Sequence, residues 1–292
     1  MYRSINQILL ISTTMSKPRV VHFLGELPGL GEELLHKLVC NNISCSIVEN
    51  WYDVLLSNMS TELEIFSEKP FLFDVNLINS NDVLLYFALN EQVIDFDLLS
   101  GIECKVLLLV NGENSVDVER DNLKLIYVHD LISYSTISYS SNLALDELLK
   151  HCKSDTRDFD LQSDKKYWWV SQQDVAACLV RIIDNLQLLS FSTDICGRRG
   201  WTERETFQQL ELLYNRTMAG SSGQFQTNHL EPKPVIEATL AKASEITPST
   251  RPDLSAINEV LQQVGDEGWR PLIPLRTSLM HYLATKDLGY RV

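Results

Sequence analysis

Val20–Asn50 reads VVHFLGELPGLGEELLHKLVCNNISCSIVEN. An apolar run, Val20 to Leu24, meets a turn that carries Gly25, Gly29 and Gly31. Leu34, Leu35, Leu38 and Val39 then recur at helical spacing, and a second apolar run leads to Glu49. The pattern is a strand, turn, helix, strand unit of the kind that opens a nucleotide-binding α/β sheet.

Further apolar runs extend the sheet. Asn81–Leu89 (NDVLLYFAL), Lys105–Val110 (KVLLLV) and Leu123–Val128 (LKLIYV) are continuous rather than alternating, as strands buried on both faces are. Polar segments between them predict a parallel sheet rather than a sandwich. Trp51–Asn58 reads as a short helix, Phe71–Val75 as a short strand and Phe191–Cys196 as another. The spacing predicts helices over Asn142–Cys152, Gln172–Leu186 and Thr202–Tyr214, the last opened by a Thr202-x-x-Glu205 capping box. Met218–Thr227 (MAGSSGQFQT) reads as a loop, and three modest helices are expected near 233–243, 253–264 and 275–285. The shift from strand-rich to helix-rich pattern suggests a sheet domain over 15–185 and a smaller lobe over 186–292, the two interleaved in space. Residues 1–14 read as a flexible extension ahead of the first strand.

Composition narrows the partners. In 292 residues, 45% hydrophobic and 22% charged, there is enough apolar surface for a sizeable core. A net charge of −14 argues against a nucleic-acid surface or an anionic membrane surface, and no apolar run approaches the length of a membrane span. Six scattered cysteines without a C-x-x-C pair are expected to be reduced and mostly buried, with no zinc site, which suggests a cytoplasmic protein.

Five stretches together resemble the extended short-chain dehydrogenases/reductases, the NAD-dependent epimerase/dehydratase family. The opening unit resembles the family's TGxxGxxG strand–turn–helix, and NDVLLYFALN resembles its D-V-apolar strand. YWWVSQQDVAACLVRII is similar to the F-V-H-V-x-D-V-A strand and helix, with Asp174, Val175 and Ala176 matching. CGRRGWTERETFQQL resembles the later strand and helix of the substrate lobe. RPDLSAINEVLQQVGDEGWRPLIPLRTSL resembles the C-terminal signature, with Arg251, Asp253, Gly268, Trp269 and Pro271 matching. The likeness spans most of 19–285. It implies a Rossmann-like doubly wound parallel sheet with a small, mostly helical C-terminal lobe, NAD as cofactor and a nucleotide or sugar as ligand.

The functional positions depart from that pattern. The family places glycines at the first, fourth and seventh positions of its turn; here these are Gly25, Pro28 and Gly31, with Gly29 displaced by one. Proline lacks the N–H and the freedom with which a glycine lets backbone approach a pyrophosphate. Glu32 and Glu33 suit the dipole of the helix they open but repel a phosphate. The resemblance makes Gly25, Gly29, Leu30 and Gly31 the candidate pyrophosphate contacts. Glu49 or Asn50, expected to end the second strand, is the candidate ribose contact. With no arginine beside them, NAD is expected over NADP. A tight turn that binds nothing is the alternative.

The family's chemistry rests on a Ser/Thr after the KVLLLV-type strand and a Tyr-x-x-x-Lys on the next helix. Here Asn111, Gly112 and Glu113 follow that strand, and only Gly112–Asn122 precedes the next one, too little chain for a multi-turn helix. Placing the motif at Tyr139 instead puts Leu143 where the lysine belongs. Either way the lysine is missing, and no catalytic residue is assigned. The family dimerises through helices flanking that segment, so its loss removes the ground for expecting the usual dimer.

Among other candidates, His129-Asp130 falls at a strand's carboxyl end and reads as a surface pair or a ligand contact. His22 reads as a satisfied core histidine. Trp168 and Trp169, after Lys165 and Lys166, could stack on a sugar or base, or pack between the lobes. The expectation is a degenerate family member acting in binding, regulation or scaffolding, its acidic surface a candidate contact for a basic protein partner. An active NAD-dependent epimerase, dehydratase or reductase with an atypical site is the rival.

Overall fold

The computed structural model describes residues 20–66, 68–90, 94–118, 120–135, 137, 142–154, 165–229 and 250–286. The expected extension over 1–14 and the helix near 233–243 lie outside these residues, as does Tyr139.

The chain runs β1 (Val21–Gly25), α1 (Leu30–Cys40), β2 (Cys45–Ile47), α2 (Glu49–Asn58), α3 (Ser60–Ile65), β3 (Phe71–Leu72), β4 (Val83–Ala88), α4 (Phe96–Ser100), β5 (Lys105–Asn111) and β6 (Leu123–Val128). It continues with β7 (Leu131–Ile132), α5 (Leu143–Lys153), β8 (Lys166–Tyr167), β9 (Val170–Ser171), α6 (Gln172–Ile182), β10 (Ser192–Ile195), β11 (Trp201–Thr202), α7 (Glu203–Ser221), α8 (Ser255–Gln263) and α9 (Leu275–Ala284). Seven parallel strands form one sheet in the order β10-β6-β5-β4-β1-β2-β3. The order turns back on either side of β1, which creates a switch point between β1 and β4 at the strands' carboxyl ends.

Strand residues alternate between two cores. Phe23, Leu85, Phe87, Leu107, Leu109 and Ile126 face α1, α6 and α8. Leu24, Leu84, Tyr86, Val106, Leu108 and Val110 face the opposite side. That second side has a thinner cover: the five-residue α4, the 3-10 turn Val75–Leu77, and irregular segments bearing Phe73, Ile78, Ile94 and Val116. A third core joins α5, α7 and α9 through Leu145, Leu148, Leu210, Leu213, Leu279 and Tyr282. Asp146, nearly buried, ties α5 to α9 by accepting from the Tyr282 hydroxyl (2.5 Å) and the Lys286 ammonium (2.8 Å).

The fold is the Rossmann-like parallel sheet with a helical C-terminal part that the apolar runs led one to expect. Several boundaries differ. The second strand stops at Ile47, and Glu49 and Asn50 open α2 instead of ending β2, because Val48 already leaves the sheet and caps the helix. The expected strand over Phe71–Val75 keeps only Phe71–Leu72, since Asp74 accepts from the Asn76 N–H and turns the chain into the 3-10 segment. The loop expected from Met218 begins later, because α7 carries its hydrogen-bonded ladder through Ser221. Its N-terminus is the predicted capping box, Thr202 with Glu205. All six cysteines are free thiols, and Cys45, Cys104, Cys178 and Cys196 are buried. No described helix is long and apolar enough to cross a membrane.

Candidate functional site at the carboxyl edge of the sheet

The glycine turn leaves β1 through Gly25, whose φ of 84° is closed to most side chains. A Cβ there would lie 2.2 Å from the Phe87 carbonyl oxygen on β4. Leu27 and Leu30 turn fully inward, and Gly29, at φ 83°, caps α1. The Glu32 N–H is already spent on the Leu27 carbonyl (2.6 Å) and the Glu33 N–H on that of Gly29 (3.0 Å). Gly31 is buried against Leu27.

The space in front of this turn is occupied by the chain itself. Ser133 stands so close to Gly29 that a Cβ would meet its hydroxyl at 2.0 Å, with Gln172 Oε1 next at 3.3 Å. The Glu32 carboxylate curls back and accepts from the Ser135 hydroxyl at 2.7 Å. On the far side, the Trp51 indole N–H donates to the Gly25 carbonyl (3.2 Å), while Glu49 and Asn50 stand exposed in the first turn of α2. Pro28 offers no N–H, Glu32 brings negative charge, and Ser133 fills the approach to Gly29, so the residues as placed do not fit a pyrophosphate.

At the other side of the switch point, β5 ends at Asn111 and the chain returns to β6 without a helix among the described residues of 112–122. The return is pinned by side chains. Arg120 donates to the carbonyls of Leu99 (2.6 Å) and Ser100 (3.1 Å), and the Asn122 amide donates to those of Ile102 (2.9 Å) and Cys104 (2.8 Å). Eleven residues in extended form reach roughly 36 Å, ample for a return beside a strand, whereas as a helix they would span only about 16 Å. The short connection has a hydrogen-bonded turn at each end, the Asn114 N–H donating to the Asn111 carbonyl (2.9 Å) and the Leu123 N–H to that of Arg120 (3.1 Å). Leu143, the position opposite a catalytic lysine in the alternative alignment, is the 71% exposed first residue of α5.

His129 and Asp130 are not a surface pair; each is drawn to a different neighbour. The His129 ring packs over Gly112, where a Cβ would lie 2.0 Å from Nδ1, and its Nε2 lies 2.6 Å from Asp194 Oδ1. Asp130 adopts a left-handed φ of 48° and accepts the Trp168 N–H at 2.6 Å. Burial pushes its carboxyl above the usual range, against the pull of that N–H and of His129 and Lys165. Nearby, the Tyr167 hydroxyl lies 3.4 Å from Glu203, and the Lys165 ammonium sits 5.0 Å from the centre of the Tyr167 ring. A half-buried acid in a left-handed conformation gives no pattern in a single sequence, and Asp194 lies too far along the chain to be paired with His129 by spacing.

The remaining singled-out residues are structural. His22 is buried in the sheet with its Nδ1 2.6 Å from the Ser46 hydroxyl and its Nε2 3.3 Å from Asp82. Trp169 stacks on Tyr167 with centroids 4.6 Å apart and donates to Thr206 (2.9 Å), so it packs within the helical core. Asp174, whose carboxyl is pushed up by burial, accepts the N–H groups of Leu272 (2.8 Å) and Ile273 (3.1 Å). Trp269 donates its indole N–H to the Cys196 carbonyl (2.7 Å). The motifs that carry the resemblance around Asp174 and Trp269 are thus cross-ties between α6, β10 and the C-terminal segment.

No protein-family model matches the chain, and no curated protein matches it in sequence. Solved structures do match in fold. The UDP-glucuronic acid 4-epimerase of Bacillus cereus, solved with NAD, aligns over 91% of this chain and 98% of its own, at 10% identity and a TM-score of 0.54. The UDP-glucose 4-epimerase of Bifidobacterium longum, solved with NAD+ and UDP, aligns over 93% and 100%, at 10% identity and 0.52. Gre2 of Candida albicans, solved with NADPH, aligns over 92% and 98%, at 10% identity and 0.54. With these alignments covering nearly all of both partners, the chain has the fold of the extended short-chain dehydrogenases/reductases, the NAD-dependent epimerase/dehydratase group.

Proposed function

We propose that this is a degenerate member of that group, without the Ser–Tyr–Lys catalytic set, which serves as a binding, regulatory or scaffold protein beside enzymes that handle sugars or other carbonyl metabolites. The observation that supports the reading is the short β5–β6 return, which has no helix among its described residues at the point in the chain order where the family carries its Tyr-x-x-x-Lys helix. A blocked glycine turn supports it, since the family's chemistry depends on a bound dinucleotide. Calorimetry with NAD and NADP, followed by assay of NAD(H) turnover with a UDP-sugar, tests it. No saturable heat and no turnover are expected; turnover would sink it.

A second reading is favoured by one observation, the His129–Asp194 contact beside Gly112 at the carboxyl edge. In an active enzyme with an atypical site, NAD would lie against Gly25, Gly29, Leu30 and Gly31, with Glu49 or Asn50 on the ribose and His129 as acid or base. This reading expects binding of NAD and turnover abolished by His129→Ala.

A further inference from the structure

We propose that Ser133–Ser135 is a built-in strap that takes the place of a dinucleotide's phosphates at the start of α1. The segment leaves β7, whose pairing with β9 aims it at the glycine turn. Its three residues are then anchored among three helices, α1, α6 and α9. The Ser133 hydroxyl covers Gly29 at the N-terminus of α1 and lies 3.4 Å from Gln172 Oε1. Tyr134 donates its N–H to the same Gln172 oxygen on α6 (2.8 Å) and stacks its ring on His281 of α9, centroids 5.1 Å apart. Ser135 is buried, donates to Glu32 on α1 and accepts the Ile137 N–H at 3.2 Å.

Glu32 completes the arrangement. A helix start favours negative charge, and here a carboxylate from the first turn of α1 supplies it internally. Ser135 holds that carboxylate in place, so a phosphate would have to displace a hydrogen-bonded anion as well as a packed hydroxyl. The glycine at position 29 is thereby explained without a ligand: its missing side chain makes room for Ser133.

The strap deepens the reading of a catalytically silent protein but does not depend on it, because binding and turnover can be read separately. The experiment compares four folded proteins by NMR line broadening of NAD: wild type, Glu32→Gln, Pro28→Gly, and Pro28→Gly combined with Ser133→Gly and Glu32→Gln. Circular dichroism and the urea midpoint establish that each is folded. The wild type is expected to bind NAD weakly or not at all. Glu32→Gln, which keeps the hydrogen-bond acceptor and removes the charge, should bind more tightly than wild type. The triple variant should bind roughly tenfold more tightly than Pro28→Gly alone, the effect of relieving one like-charge contact and one steric block. Saturable micromolar binding by the wild type would overturn the strap. So would equal binding by Pro28→Gly and the triple variant, or no gain in Glu32→Gln. Binding by the triple variant, without UDP-sugar turnover, supports the strap and the silent reading together. Binding by the triple variant with turnover supports the strap while sinking the silent reading.

Discussion

The β1–α1–β2 unit and the β5–β6 connection are both parallel crossovers in one sheet, yet they have different physical solutions. The first keeps a helix whose Leu30, Leu34, Leu35 and Leu38 are fully buried, each worth about 1.5–3 kcal/mol on the sheet. The second has no described helix and is held instead by side-chain hydrogen bonds from Arg120 and Asn122 to neighbouring carbonyls. Burial of a repeating apolar face preserves architecture, because the sheet needs a cover whatever the protein does. A crossover too short for a multi-turn helix can instead be tied down by side-chain hydrogen bonds while the remaining segments close the core. The contrast shows how a chain can hold this fold with a helix in one crossover and none among the described residues of another.

The largest effect should come from Gly25→Ala, which strikes the intact crossover. Its new methyl would meet the Phe87 carbonyl at 2.2 Å in a left-handed backbone. A loss of about 3–5 kcal/mol is expected by urea denaturation, enough to unfold a marginal domain. A loss below about 1 kcal/mol would mean that the turn is looser than the helix behind it.

Asn122→Ala attacks the stripped crossover. Removing two hydrogen bonds leaves the Ile102 and Cys104 carbonyls short of a donor, at a cost of about 1–3 kcal/mol. If the variant were as stable as wild type, the connection would not be held as described. Gly112→Ala should push His129 off its place, and the same change made in His129→Ala should be much milder. The coupling expected between the two positions is about 0.5–3 kcal/mol.

The pH dependence sharpens the comparison at the intact end. Burial holds the His22 imidazole below its ordinary value, outweighing Asp82, so the folded protein binds this proton less readily than the unfolded chain does. Stability from this group should fall as pH drops below the unfolded value of about 6.5. Burial alone would raise Asp82, but hydrogen bonds from Asn79 and His22 outweigh it and hold the carboxyl low. Its contribution is lost only further down, as pH falls from about 3.9 towards the folded value. Ring-proton NMR should show His22 titrating below an ordinary imidazole. A His22 that titrates like a free imidazole would contradict the buried pairing.

Smallest of all is Leu143→Lys, which restores the lysine of the alternative alignment. At 71% exposure the change should move stability by no more than about 0.5 kcal/mol and produce no NAD-dependent turnover. Appearance of activity would place the catalytic segment on α5 after all.

Much of the fold was legible because its signals are local. Leu123–Val128 is a strand over the expected residues, and Thr202 with Glu205 forms the predicted cap. His22 was readable as a core histidine because it interrupts an otherwise apolar strand. Boundaries were less legible where a single side chain decides them, as Asp74 does after β3. At the carboxyl edge, His129 and Asp130 suggested a pair from adjacency alone. Adjacency in a sequence says nothing of a left-handed residue that sends the two side chains to different partners.

By itself the sequence determined the sheet, the helices that cover its first face and the shortness of the β5–β6 return. These follow from the period of apolar residues and from how far eleven residues can reach. Only the tertiary structure decided what stands in front of the glycine turn. Gly29, Glu32, Ser133, Ser135 and Gln172 come from three separate stretches of chain, and no spacing rule joins them. The glycines alone imply room for a phosphate; contacts made by residues about a hundred positions further on determine whether that room is left open.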